Sequence, residues 1–332
     1  YNILSKLQLG RMNCMKETEK VLKQLNKFIL NHVEDYDSVD EAVEAFTKLS
    51  NEASAKGETF VIGEMTNEEK ATEELEKLEF AASEREYAAI LERALKLDPD
   101  NLEARLFKLD PESLEFIHEL KKLETLGKAV MQKRGLDDEE SIGNYWGIVE
   151  TRAYLRIKAL YADELQKRRM LTASVREYED ILRLNEADNM GIRYILMGIY
   201  CQLEQMEKAK ELYQRSPEAS AQMLLPLILL SLKYDDELSA KRYYKDLQKE
   251  NKSCKKVFGR REFDLESMVE AIDAVDYLAD SEEELYIAIS NVMTDFAVVP
   301  DMYYFNWLKK NLIKPPSSKP SKPSKKWIQK KK

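Results

Sequence analysis

The amino-acid sequence predicts an all-α fold of antiparallel helix pairs stacked as a helical-repeat solenoid, and three observations carry that prediction. Turn-forming residues are scarce: there are 10 Gly and 9 Pro in 332 residues, and Pro315, Pro316, Pro320 and Pro323 all fall at the C-terminal end. Apolar residues recur at spacings of three and four, which gathers them on one face of a helix. Small-residue and aromatic pairs recur four apart, at intervals near the length of one helix pair. Charged residues at 34% and hydrophobic residues at 44% suit amphipathic helices that each bury one stripe.

The elements follow in order. Residues 1–11 precede Met12, where patterned sequence begins, and are read as a candidate non-native extension. Residues 12–50 form an N-terminal helical pair. Its first face carries Val21, Leu22, Leu25, Phe28 and Ile29, and its second Val39, Ala42, Val43, Phe46 and Leu49. Asp37 or Ser38 begins the second helix, and Glu41 completes the pattern of a capping box. Residues 51–66 lose the period, contain Gly57 and Gly63, and read as a linker. Residues 67–308 form the repeat domain. It opens with helices over Asn67 to Phe80 and Glu84 to Leu97, the second closed by Asp98-Pro99-Asp100-Asn101. Proline cannot continue that helix, and Asp and Asn favour the start of the next.

The repeat is clearest in the middle of the chain. Ser174/Tyr178, Ala209/Tyr213 and Ala240/Tyr244 pair a small residue with an aromatic four positions on, the arrangement of the second helix in a tetratricopeptide-like unit. Twelve residues before Ser174 lies Ala162, between Tyr161 and Leu165, where the first helix of the pair should make its close contact. The equivalent steps from Ala209 reach Leu196, Met197 and Tyr200, with Gly198 beside them to let helices approach. Ser216-Pro217 ends a helix early and shortens the interval. Two or three further helices are expected between Asp264 and Leu308, one of them holding Ile287, Ile289, Val292, Met293 and Phe296. Residues 309–332 are a proline-, serine- and lysine-rich basic tail, expected to be disordered.

Charge is asymmetric. The chain total is −9, and the ten lysines from Lys309 onward leave −19 on residues 1–308. An acidic body repels nucleic acid and anionic membrane, so a nucleic-acid role is expected only through the tail. Cys14, Cys201 and Cys254 are far apart, and the two histidines, His32 and His118, add no paired ligand spacing. No metal or cofactor is expected. Sparse cysteines, the want of a signal-peptide pattern at the start and the shortness of the longest apolar run, Met223 to Leu230, give the expectation of a cytoplasmic protein without a membrane span.

The block Gly143-Asn-Tyr-Trp-Gly-Ile-Val-Glu-Thr-Arg-Ala-Tyr-Leu-Arg156 resembles one carried by a family of tetratricopeptide-repeat proteins from low-GC Gram-positive bacteria. The segment Leu184-Asn-Glu-Ala-Asp-Asn-Met-Gly-Ile-Arg-Tyr-Ile195 is similar to a second block of that family, and Trp307-Leu308 to its closing pair. Ala153 stands where the family has proline, Leu155 where it has methionine, and Glu186-Ala187 where it has proline and asparagine, so the resemblance is to a divergent member. It implies the fold and assigns no chemistry.

No nucleotide-binding, hydrolase or metalloprotease motif occurs, and the expected function is a non-enzymatic module that binds a peptide or partner protein in its concave groove. Trp146, Val149, Ala153, Ile157 and Leu160 share one helical face and are expected in the core. The candidate partner-binding residues are Glu150, Arg152, Arg156, Asp163, Gln166, Asn189, Arg193 and Tyr194. Arg156 is the leading one, because its planar fork can grip a carboxylate. The competing reading pairs Arg156 with Asp163 or Glu150 and makes Asn189 a helix cap.

Overall fold

The computed structural model describes residues 19–32, 34–57, 60, 62–261, 264–273, 277–297 and 299–313. The candidate extension at 1–11, Cys14 and tail residues 314–332 lie outside the described residues. The protein is all-helical. Among the described residues the nearest thing to a strand is an isolated bridge between Asn144 and Asn185. The chain divides into two compact units between Arg193 and Tyr194.

The first unit starts with α1 (19–32) and α2 (Val39–Ala55). Phe28, Ala42 and Phe46 form their shared core, whereas Val21, Val39 and Leu49 are exposed. Ser38 caps α2 by accepting from the Glu41 N–H, and the Glu41 carboxylate accepts from Asp37 N–H rather than from the cap itself. The helix runs to Ala55, five residues into the expected linker, before Lys56 and the left-handed Gly57 stop it. Phe60 and Ile62 then pack back on the α1–α2 core, and Ile62 N–H donates to Gln24. This stretch is therefore part of the module's packing.

Thr66 and Glu69 form a full capping box at the start of α3 (Asn67–Glu76), which a single 3-10 turn extends to Phe80. Next come α4 (Glu84–Leu97), α5 (Leu102–Phe107), α6 (Phe116–Lys133), α7 (Val149–Lys167) and α8 (Leu171–Leu184). Asn101 caps α5 through the Ala104 N–H, as its place after Pro99 suggests. Helices α3 and α4, α6 and α7, and α7 and α8 pack in succession. The α7–α8 link is three residues long, which forces the chain to reverse. Ser174 Oγ donates to Ala162 O at 2.9 Å, so the two small residues meet at the expected contact point.

In the second unit α9 (Ile192–Gln202), which begins two residues before the division, precedes α10 (Met206–Arg215) and α11 (Ala221–Lys233). Residues Ala221 to Ser231 of α11 are buried all round, because α10, α12 (Glu237–Glu250) and α15 (Glu282–Asn291) pack against it. Ala209, Ala240 and Tyr244 are buried, while Tyr213 is half-buried. The remaining helices are α13 (Cys254–Phe258), α14 (Leu265–Asp273), α16 (Met293–Ala297) and α17 (Tyr303–Lys310). The expected helix over 287–296 is broken at Val292, whose φ of −122° leaves the helical region. Trp307 and Leu308 are buried, Trp307 against Tyr244, and Lys309 and Lys310 belong to the last turn of α17 rather than to the tail.

Candidate functional site

The blocks 143–156 and 184–195 meet in space. Tyr145 N–H donates to Leu184 O at 2.9 Å and Glu186 N–H to Gly143 O at 2.8 Å, so the turn before α7 is stitched to the end of α8. Trp146 lies in this turn and is half-buried, which corrects its expected place in the core. Gly143 has a φ of +97°, residues 143–148 lie outside the helix, and α7 starts only at Val149. Tyr145, one residue earlier, is the buried aromatic. The Arg152 guanidinium stacks over the Trp146 ring at 5.2 Å, and its Nε donates to Trp146 O at 2.8 Å. Arg152 is thus a buried brace for the turn.

Arg156 lies two turns into α7. It pairs with Glu19 of α1 at 2.8 Å and with Glu103 of α5, and not with Asp163 or Glu150. Burial opposes its charge, but Glu103 and Glu19 outweigh it and hold the guanidinium above its ordinary range. A carboxylate arriving from a partner would have to displace one of these two acids. Arg156 as an open carboxylate receptor is therefore replaced by Arg156 as the clamp between α1, α5 and α7.

Around that clamp lies a polar groove enclosing about 70 Å³. Its lining includes six acids (Glu19, Glu68, Asp98, Asp100, Glu103, Glu150) against four bases (Lys20, Lys23, Arg134, Arg156). The bases are spent on internal pairs, Lys20 with Glu76, Lys23 and Arg134 with Glu68, and Arg156 as above. Glu150, half-buried in the first turn of α7, has no ion-pair or hydrogen-bond partner among the described residues and also borders a neighbouring hollow beside α1. The groove consequently offers carboxylate to a ligand.

The other candidates are dispersed. Asp163 accepts from Tyr178 Oη, with Gln166 Oε1 3.4 Å from the same hydroxyl, so both serve the α7–α8 contact. Burial pushes the Asp163 carboxyl up, and Tyr178 only partly offsets it. Asn189 is exposed, and it is Asp188 that caps α9, accepting from Ile192 and Arg193 N–H and from the Arg193 guanidinium at 2.8 Å. Tyr194 falls in the second unit, where its hydroxyl donates to Glu218 at 2.6 Å. Gly198 lines no opening, since a Cβ there would sit 2.7 Å from Asn291 O on α15.

One buried cluster lies outside the residues that the sequence singles out. Lys158 is buried on α7, with Nζ 2.6 Å from Glu177, 3.0 Å from Asp180 and 3.2 Å from Glu124. Tyr154 Oη donates to the same Glu124. The signal was available: Tyr154, Lys158, Tyr161 and Leu165 follow the helical spacing, so the lysine sits inside the apolar stripe.

No described helix is long and apolar enough to cross a membrane, and no group of three His, Cys, Asp or Glu among the described residues could hold a metal ion. Comparison with protein families, with curated proteins and with solved structures finds no match for this chain.

Proposed function

We propose that the chain is a non-enzymatic, tetratricopeptide-like interaction module that binds a peptide or partner protein through the groove around Arg156. The observation that carries this reading is the groove's composition: its bases are neutralised internally, and Glu150 is left to recruit a donor. The ligand that fits is a polar segment presenting an amine, guanidinium or backbone N–H groups. The α7–α8 contact through Ala162 and Ser174 supports the repeat type. Both described thiols are buried and held protonated, with Cys254 pushed up to about 12, so neither is suited to nucleophilic chemistry.

The test compares wild type, Glu150→Lys and Arg156→Ala as baits in cell extract, beside melting curves. Glu150→Lys melts like wild type and loses the captured partner, because the groove's unpaired acid is reversed. Arg156→Ala melts early. Equal recovery of the partner by wild type and Glu150→Lys removes the groove from the binding surface.

A further inference from the structure

The second unit carries a cleft that the groove reading does not use. It lies between the turn joining α11 to α12 and the start of α17, and encloses about 490 Å³. Its rim presents Asp235, Glu237 and Asp301 and, among the described residues, a single cation, Lys310, and its walls include Leu232 and the rings of Tyr303 and Trp307. Glu237 pairs with Lys241 at 3.0 Å, whereas Asp235 and Asp301 have no ion-pair partner among the described residues. Tyr303 is 52% exposed, and on the α11–α12 side Tyr234 and Leu238 are exposed too.

The backbone explains the gathering. Asp235, with φ +56°, ends the turn after α11. Asp301 and Met302 both adopt positive φ and turn the chain into α17, and Asn306 Nδ2 donates to Asp301 O at 2.7 Å. Asp301 and Tyr303 are thereby delivered to one rim.

Carboxylates around an aromatic and aliphatic wall complement a side chain with a cationic head and an apolar stem. Among the described lining residues an anionic ligand would meet three acids and one base. We infer that this cleft docks a lysine or arginine side chain from a basic segment of a partner protein, with Asp235 and Asp301 holding the head and Tyr303 covering the stem. The residues are separate from the Arg156 groove, so the two sites stand or fall independently.

The test uses the full chain and a blocked arginine–glycine repeat peptide, with a glutamate–glycine peptide as the counter-probe, followed by calorimetry and by amide shifts in nuclear magnetic resonance. The arginine peptide binds, the glutamate peptide does not, and shifts concentrate at Tyr303 and Asn306. Asp235→Asn with Asp301→Asn weakens binding by about tenfold, and Tyr303→Ala by about threefold, from lost charge pairing and ring contact. Glu44→Gln with Glu52→Gln, which removes the same charge from exposed positions on α2, leaves binding unchanged. Equal weakening by both pairs, shifts confined to the first unit, or no binding at low salt overturns the assignment.

Discussion

Replacing Lys158 with methionine tests the most demanding electrostatic feature of the first unit. The side chain is only 3% exposed, and its ammonium lies among Glu124, Glu177 and Asp180 from α6 and α8. Removing one partner of a buried ion pair costs about 3–5 kcal/mol, because it strands charge in low dielectric. Here the acids keep some water, with Asp180 33% exposed, so about 3 kcal/mol is expected. For a unit of this size that lowers the midpoint by about 6–12 °C.

The dependence on pH gives the sharper test. In the wild type, burial opposes the Lys158 charge, but Glu177, Asp180 and Glu124 outweigh it and raise its pKa. That contribution is therefore complete below the ordinary lysine value and is lost only as pH rises through the folded value. Burial likewise opposes the Asp180 charge, but Lys158 and Arg183 hold that carboxyl below its ordinary value, so its contribution is lost as pH falls through the folded value. In Lys158→Met the Asp180 carboxyl loses the ammonium that holds it down and takes up a proton more readily, so the deficit shrinks as pH falls from about 7.5 to about 5. Urea titrations of both proteins at the two pH values measure it. A deficit below about 1 kcal/mol at the higher pH, within the range of an exposed pair, or one independent of pH, refutes the reasoning.

Five further variants test the packing. Tyr178→Phe destabilises by about 1–2 kcal/mol through loss of the Asp163 bond, whereas Tyr244→Phe is neutral or stabilising because the buried Tyr244 hydroxyl has no hydrogen-bond partner among the described residues; chemical denaturation compares them. Gly198→Ala forces a Cβ against Asn291 O and costs about 1–3 kcal/mol, seen as an earlier melting of the second unit. Trp146→Ala, at a half-buried turn site with one stacked guanidinium, costs about 1–2 kcal/mol by denaturation, less than an emptied core site. Arg156→Ala strands Glu19 and Glu103 and costs about 2–3 kcal/mol, which high salt reduces only slightly because the pairs are shielded.

What the sequence made legible was local. The limits of α4, the Asn101 cap and the Ala162–Ser174 contact each depend on residues within about one helix pair of each other, where spacing and capping chemistry act directly. The site was not legible in the same way. Arg156 finds Glu19 and Glu103 across long stretches of chain, and only tertiary packing decides which acids reach it. Trp146 follows the helical spacing of α7, yet the left-handed Gly143 before it and the bridge from Asn144 to Asn185 keep it in a turn. Asp188 and Asn189 are equally good caps by residue type, and only the folded chain brings the Asp188 carboxylate to Ile192 and Arg193 N–H and to the Arg193 guanidinium.

The groove claim is tested most directly by hydrogen–deuterium exchange on the full chain, alone and with its captured partner. The account predicts slowed exchange in segments covering Asp98 to Glu103 and Val149 to Arg156, with α12 unchanged by binding at this site. Protection that leaves both segments untouched, while the partner remains bound, contradicts it.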